Sequence, residues 1–272
     1  MPEITCNGLA FHVEDRGSGE PLVLLHGFTG SSASWSGITD RLDRTRRVIA
    51  IDLIGHGRSP APIDPARYAF DRALDDLACV IASLGVERAG WLGYSMGGRV
   101  ALALAIRYPA LVSSLVLESA SPGIEDAAER ASRRAADDTL ASRIEAGGIA
   151  EFVAAWERLP MWDSQRSLPA AARARQREIR LRNQAHGLAG SLRGMGVGAQ
   201  EPFWHRLSGV AAPALLIAGT LDTKFARIAT RMHSEIPGAE LCLASDAGHA
   251  VHLERPDFFA RQVERFLDRI DQ

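Results

Sequence analysis

Lysine is almost missing from this chain of 272 residues: of its 31 basic side chains, only Lys224 is a lysine. The preference for arginine runs through the whole sequence, so being an arginine marks no single position as functional. Cysteine is also scarce. Cys6, Cys79 and Cys242 are odd in number, far apart and without a C-x-x-C pair, which argues against a structural zinc site or a disulfide framework. No run of 18 apolar residues occurs, so no segment is expected to span a membrane. Met1 to Gly8 lack the basic start and apolar stretch of a signal peptide, and a soluble cytoplasmic protein is expected. Charge of one sign is lacking as well. The balance of 31 basic against 33 acidic residues, net -2, gives no reason to expect nucleic acid or an acidic membrane as partner. Repeats and low-complexity linkers are absent.

Apolar residues, in contrast, make up 46% of the chain, enough for a large core, and α/β folds of this length commonly form one core with an insertion. The organising stretch is Gly93-Tyr94-Ser95-Met96-Gly97-Gly98, between an apolar run ending at Trp91-Leu92 and a helical run from Arg99 to Ala105. A Gly-x-Ser-x-Gly at a sharp strand-to-helix turn has the setting of a nucleophile elbow. Strand and helix cross closely there, and a Cβ two residues to either side of the serine would collide. The N–H groups of Ser95 and Met96 are expected among the unpaired donors of the helix N-terminus, facing any negative charge that develops nearby. The same letters also fit a packing turn with an incidental serine.

Leu9 to Glu14 and Pro21 to Leu25 read as strands, and the second runs into His26-Gly27-Phe28-Thr29-Gly30. This loop is either a flexible surface turn or an oxyanion loop in which the N–H of Phe28 partners that of Met96. Arg47 to Asp52 is a third strand. Asp52 precedes the serine and is read as a brace for the glycine loop after it, and His56 as a loop residue. Phe70 to Leu84 is an amphipathic helix closed by Gly85, Arg88 to Leu92 feeds the elbow, and Leu111 to Glu118 is a further strand. Alternating strands and helices predict an α/β fold: a mainly parallel sheet with helices on both faces.

From Ile124 to about Arg206 no convincing strand occurs. Helical segments broken at Gly147-Gly148, Pro160, Pro169 and Gly187 predict an inserted cap of about four helices, with residues 122–206 as cap and 1–121 plus 207–272 as core. The cap segment carries thirteen arginines against eleven acids, so an anion site there must come from a few arginines aimed inward. Ala214 to Ala218 resumes the sheet. Asp222 lies just past its end, where ligand sites of open parallel sheets collect, and His249 follows the last strand, Leu241 to Ala244.

Ser95, Asp222 and His249 therefore each follow a strand, in the order Ser, Asp, His expected of α/β-hydrolase triads. In such a triad the histidine accepts the serine proton, and the aspartate fixes its tautomer and stabilises its cationic form. Taken singly, Asp222 could be a helix cap and His249 a loop residue.

Nearly the whole chain resembles the α/β-hydrolase superfamily. Within it the chain is similar to the 2-succinyl-6-hydroxy-2,4-cyclohexadiene-1-carboxylate synthases of menaquinone (vitamin K2) biosynthesis. The resemblance rests on Gly93 to Arg99, on Leu117-Glu118-Ser119-Ala120-Ser121-Pro122-Gly123, on Asp222-Thr223-Lys224-Phe225 and on Gly248-His249. In the cap it rests on Ala128-Glu129-Arg130-Ala131-Ser132-Arg133, Trp156 and Leu181-Arg182-Asn183. It implies a cofactor-free, metal-free lyase in which the activated serine removes a ring proton from an enolpyruvyl-bearing polycarboxylate and pyruvate leaves. By motif, Arg99, Arg133 and Arg182 would hold carboxylates, Tyr94 and Trp156 would line the pocket, and Phe28 and Met96 would form the oxyanion hole. Arg99, Arg133 and Arg182 could also be surface residues, and Trp156 cap core.

Two other readings remain. The same elbow serves hydrolases of esters or of carbon-carbon bonds in ring-cleavage products. A binding protein on a hydrolase scaffold would be expected to carry a damaged triad, and all three members are present here.

Overall fold

The computed structural model describes residues 3–271. Its strands are β1 (Glu3–Cys6), β2 (Leu9–Arg16), β3 (Pro21–Leu25), β4 (Arg47–Ile51), β5 (Ala89–Tyr94), β6 (Val112–Glu118), β7 (Ala214–Gly219) and β8 (Glu240–Ala244). They form one sheet in the order β1-β2-β4-β3-β5-β6-β7-β8. β2 is antiparallel to β1 and β4, and every pairing from β4 to β8 is parallel. The central strands are apolar at consecutive positions because both faces are covered. Val23 and Leu25 of β3 pack into one layer while Leu22 and Leu24 pack into the other.

The first layer holds α2 (Phe70–Ser83), α3 (Met96–Arg107) and the buried side of α7 (Thr223–Glu235). The opposite layer is built by α1 (Ser36–Leu42), the short α8 (Val251–Glu254) and α9 (Pro256–Ile270), with Trp35, Ile38, Val251, Phe259 and Val263 in its core. Gly85 ends α2 at φ +70°, its N–H on the Ala82 carbonyl and that of Val86 on Ile81, the usual left-handed stop.

Between β6 and β7 the chain forms α4 (Ala127–Trp156), α5 (Ala170–Leu181) and α6 (Ala185–Met195), with a 3-10 stretch at Pro160–Ser167 and no strand. Gly148, at φ 75°, breaks α4 in two, as the Gly147-Gly148 pair suggests. Gly187 does not break a helix. It lies inside α6 and lets that helix press on the Gly55 carbonyl, which a Cβ at residue 187 would meet at 2.6 Å. Ile144, Phe152, Val153 and Leu188 close a small core of their own, and Phe28 packs against it from the sheet side.

The sequence reading missed β1, and with it a covalent link. β1 pairs with β2 and lies beside α2, which brings Cys6 over Cys79 with their Cα atoms 5.8 Å apart, and the structure joins them in a disulfide. The expectation against a disulfide framework misses this one bridge because 73 residues separate the two cysteines and only the edge pairing of β1 unites them.

Candidate active site

The elbow is built where β5 turns into α3. Ser95 takes φ 51° and ψ −107°, a region non-glycine residues rarely occupy, so the surrounding packing must hold it there. Gly93, Gly97 and Gly98 provide that packing: an added Cβ on Gly98 would stand 2.6 Å from the Ala120 Cβ, and one on Gly93 would strike the Gly97 carbonyl. One expectation needs correction. The Ser95 N–H is not free, because it donates to the Glu118 carbonyl at 2.8 Å across the β5–β6 ladder. Met96 is the first helical residue, and no intrahelical carbonyl lies within reach of its N–H.

The tertiary fold brings Ser95, His249 and Asp222 together. His249 Nε2 lies 3.0 Å from Ser95 Oγ, and His249 Nδ1 lies 2.6 Å from Asp222 Oδ2. With Nδ1–H donating to the carboxylate, Nε2 is left to accept the serine proton. Asp222 is also the N-cap of α7, its Oδ1 accepting the Phe225 N–H at 3.2 Å, so one carboxylate both caps a helix and faces His249. Partial burial pushes the Asp222 pKa up, but the hydrogen bond and charge of His249, the Phe225 N–H and Lys224 outweigh it and leave it below the usual value. The imidazole is fixed by aromatic edges, with Phe225 at 4.6 Å and Trp162 at 5.8 Å between centroids.

The His26 loop lies against the serine: a Cβ on Gly27 would be 3.5 Å from the Ser95 Cβ. His26 is fully buried, accepts the Leu53 N–H at Nε2 (3.0 Å), and its Nδ1 faces the Gly27 carbonyl at 2.8 Å. Burial lowers its pKa to about 4, so the ring is neutral and Nδ1–H is the donor. The Gly27 carbonyl also takes the Gly30 N–H. In a planar trans peptide, fixing that carbonyl fixes the opposed N–H of Phe28, which donates to no backbone carbonyl among the described residues. Asp52 braces the neighbouring loop, accepting from Ser32 N–H at 2.5 Å and Arg58 N–H at 2.8 Å.

Above the triad lies a cavity of about 730 Å³. Phe28, Tyr94, Met96, Arg99, Arg133 and Trp156 all line it. Arg99 is buried, its guanidinium braced by Gln200 Oε1 (2.6 Å) and the Met195 carbonyl (2.8 Å). Burial first, then the charge of Arg133, lowers its pKa to about 10, which still leaves it cationic at neutral pH. Arg133 is tied back by Asp137 at 2.8 Å. Tyr94 packs against His249 with the rings tilted by 58° and their centroids 5.4 Å apart, and burial raises its phenol pKa well above normal. Trp156 packs edge-on to Phe28 at 5.5 Å and belongs both to the small core of the helices between β6 and β7 and to the cavity wall.

Arg182 is not in this wall. Its side chain is 60% exposed and ion-paired to Glu178 at the end of α5. The neighbouring Asn183 turns inward instead, donating to the Thr29 carbonyl at 2.8 Å and accepting from the Gly57 N–H at 2.9 Å, which ties the inserted helices to the His26 loop. Lys224 and Trp162 line the cavity and were given no role from sequence, although Lys224 stands in the Asp222-Thr223-Lys224-Phe225 motif. Arg180 was also missed; it pairs with Glu157 at 3.0 Å and lies 5.4 Å over Trp162. No cluster of three or more His, Cys, Asp or Glu fit to hold a metal occurs among the described residues, and none of their helices is long and apolar enough to cross a membrane.

Residues 20–256 match the family model described as alpha/beta hydrolase fold, and the chain belongs to that family. Within it, the chain groups with the 2-succinyl-6-hydroxy-2,4-cyclohexadiene-1-carboxylate synthases. A Bacillus subtilis protein described as a candidate for that synthase is 42% identical, over 97% of this chain and 97% of its own length. The Serratia proteamaculans synthase is 30% identical over 90% of this chain and 92% of its own. The solved structure of MenH from S. aureus superposes with a TM-score of 0.92 at 35% identity, covering 96% of this chain and 99% of that one.

Proposed function

We propose that the protein eliminates pyruvate from 2-succinyl-5-enolpyruvyl-6-hydroxy-3-cyclohexene-1-carboxylate, giving 2-succinyl-6-hydroxy-2,4-cyclohexadiene-1-carboxylate for menaquinone biosynthesis. The observation that carries this reading is a buried, braced arginine on the cavity wall one helical turn from the nucleophile. A neutral ester would have no use for such a group, whereas a substrate with several carboxylates needs it to offset its own desolvation.

The chemistry follows from the two compounds. Ser95 Oγ, its proton taken by His249 Nε2, removes the hydrogen at ring carbon 2. The freed pair forms the bond between carbons 2 and 3, the existing double bond shifts to carbons 4 and 5, and the bond from carbon 5 to the enolpyruvyl oxygen breaks; the departing enolate takes the proton held on His249 and becomes pyruvate. The proton is acidic because the succinyl ketone beside it takes up the charge, and the N–H groups of Phe28 and Met96 are suited to that oxygen. Asp222 stabilises the transient imidazolium. Arg99, Arg133 and Lys224 supply the cations toward the carboxylates, while Tyr94 and Trp156 shape the apolar wall. The inserted helices act as the cap of the site. The same reading puts the protein in the cytoplasm.

Pyruvate release from the purified substrate, followed by oxidation of NADH through lactate dehydrogenase, tests the proposal; release no faster than the spontaneous rate removes it. Because the same triad geometry also fits acyl transfer, ester hydrolysis is the second reading. Rapid saturable turnover of p-nitrophenyl esters with little pyruvate formed would decide for it.

A further inference from the structure

Glu118 is completely buried at the end of β6, and so is almost all of His252, one turn beyond His249. The backbone carbonyl of Glu118 receives the Ser95 N–H at 2.8 Å. Its carboxylate receives the His252 backbone N–H at 2.9 Å, and His252 Nδ1 at 2.8 Å. One residue thus grips the nucleophile with its main chain and the helix following the base with its side chain. Neither Glu118 nor His252 lines the large cavity. A second acid completes the hold: Glu254 accepts the N–H of Gly248 at 2.7 Å and of Ala250 at 3.4 Å, the amides on either side of His249.

Burying a carboxylate without water is costly even when it is paired, and replacing such pairs by apolar residues often stabilises a protein. Net stability is therefore a weak reason for Glu118 to be there. What the arrangement provides is geometry. Ser95 sits in a strained conformation and His249 on a short loop, and the 3.0 Å between Oγ and Nε2 has to be set by something that holds both.

We infer that Glu118 and His252 are positioning residues, whose hydrogen bond fixes the distance between the nucleophile and the base. The inference rests on the proposed use of the triad but not on the identity of the substrate.

Two substitutions at His252 separate hydrogen bonding from packing. His252→Phe keeps an aromatic ring against Trp35 and Tyr94, its neighbours at 4.7 and 4.8 Å, and removes the donor. His252→Asn removes the ring and keeps a side-chain N–H close to the position of Nδ1. Two rates are measured on each folded variant. One is kcat and KM for pyruvate release. The other is labelling of Ser95 by a fluorophosphonate, in which the Oγ–P bond forms, the P–F bond breaks and His249 takes the serine proton. His252→Phe is expected to lower kcat and the labelling rate together by roughly tenfold to a hundredfold, the scale of a misplaced reacting group, with KM within twofold of the parent. His252→Asn is expected to recover most of that loss. Equal rates for His252→Phe and the parent, or a loss in His252→Asn larger than in His252→Phe, would overturn the inference. Glu118→Gln decides by the same two rates if His252→Phe does not fold. Labelling reads the triad even if wild-type protein releases no pyruvate, so failure of the proposed reaction and failure of this inference are told apart.

Discussion

Arg99 follows Ser95 by one turn of α3, its N–H on the Ser95 carbonyl at 3.0 Å, and its guanidinium opens onto the same cavity as the serine hydroxyl. Serine and guanidinium thus sit on one rigid unit. Arg99→Ala is expected to lower kcat/KM for the carboxylate-bearing substrate by roughly tenfold or more, the cost of a lost charged hydrogen bond. Turnover of p-nitrophenyl acetate should change far less. Steady-state kinetics with both substrates checks this, and equal losses on the two would remove the carboxylate role.

Asp222→Asn should keep the cavity intact and still cripple turnover. The amide can donate toward His249 Nδ1, favouring the tautomer that cannot accept the serine proton, and comparable changes in other triads cost about 10⁴ in kcat. Binding of the substrate to Ser95→Ala, measured by calorimetry, should remain close to that of the parent, because the arginines proposed to hold it are untouched.

Arg133→Ala and Arg182→Ala make a matched pair. Arg133 faces the cavity and Arg182 faces solvent beside Glu178, where an exposed ion pair contributes about 0 to 1 kcal/mol. The first should raise KM for pyruvate release, and the second should leave both KM and melting temperature nearly unchanged. A strong activity loss in Arg182→Ala would restore it to the site.

Asn183→Ala removes the link between the inserted helices and the His26 loop and strands the Gly57 N–H and the Thr29 carbonyl. A loss of about 1 to 3 kcal/mol is expected for each buried group left unpaired. Chemical denaturation measures it. Hydrogen exchange should rise in the segment around Thr29 before it rises in the sheet.

Acid should destabilise the protein through its buried histidines. His26 is held neutral with a pKa of about 4, and His56, buried beside it, at about 3, both below the ordinary value of 6.5. The unfolded chain binds these protons first, so the contribution to stability is intact above about pH 6.5 and is lost as pH falls toward 4 and then 3. For His26 alone this is on the order of 3 kcal/mol. His26→Asn, which keeps short polar contacts and does not titrate, should flatten the dependence of unfolding free energy on pH between 6.5 and 4.

The sequence by itself determined the features that depend on near neighbours along the chain. A strand, a glycine-flanked serine and a helix have few ways to connect, so the elbow was legible, and apolar runs bounded by turns marked the parallel strands. Asp222 and His249 were legible because parallel sheets gather the ends of distant strands at one edge. What only the tertiary structure decided depends on direction and on distant pairing. Adjacent residues at a helix end point about 100° apart, so a motif containing Leu181-Arg182-Asn183 could not say that the amide faces the core and the guanidinium faces water. Strand β1 is four residues long, half of them polar, and exists through its partner β2, so neither it nor the contact of Cys6 with Cys79 could be read locally. The Ser95 N–H went to the Glu118 carbonyl for the same reason: which strand lies alongside another is settled by packing of the whole sheet.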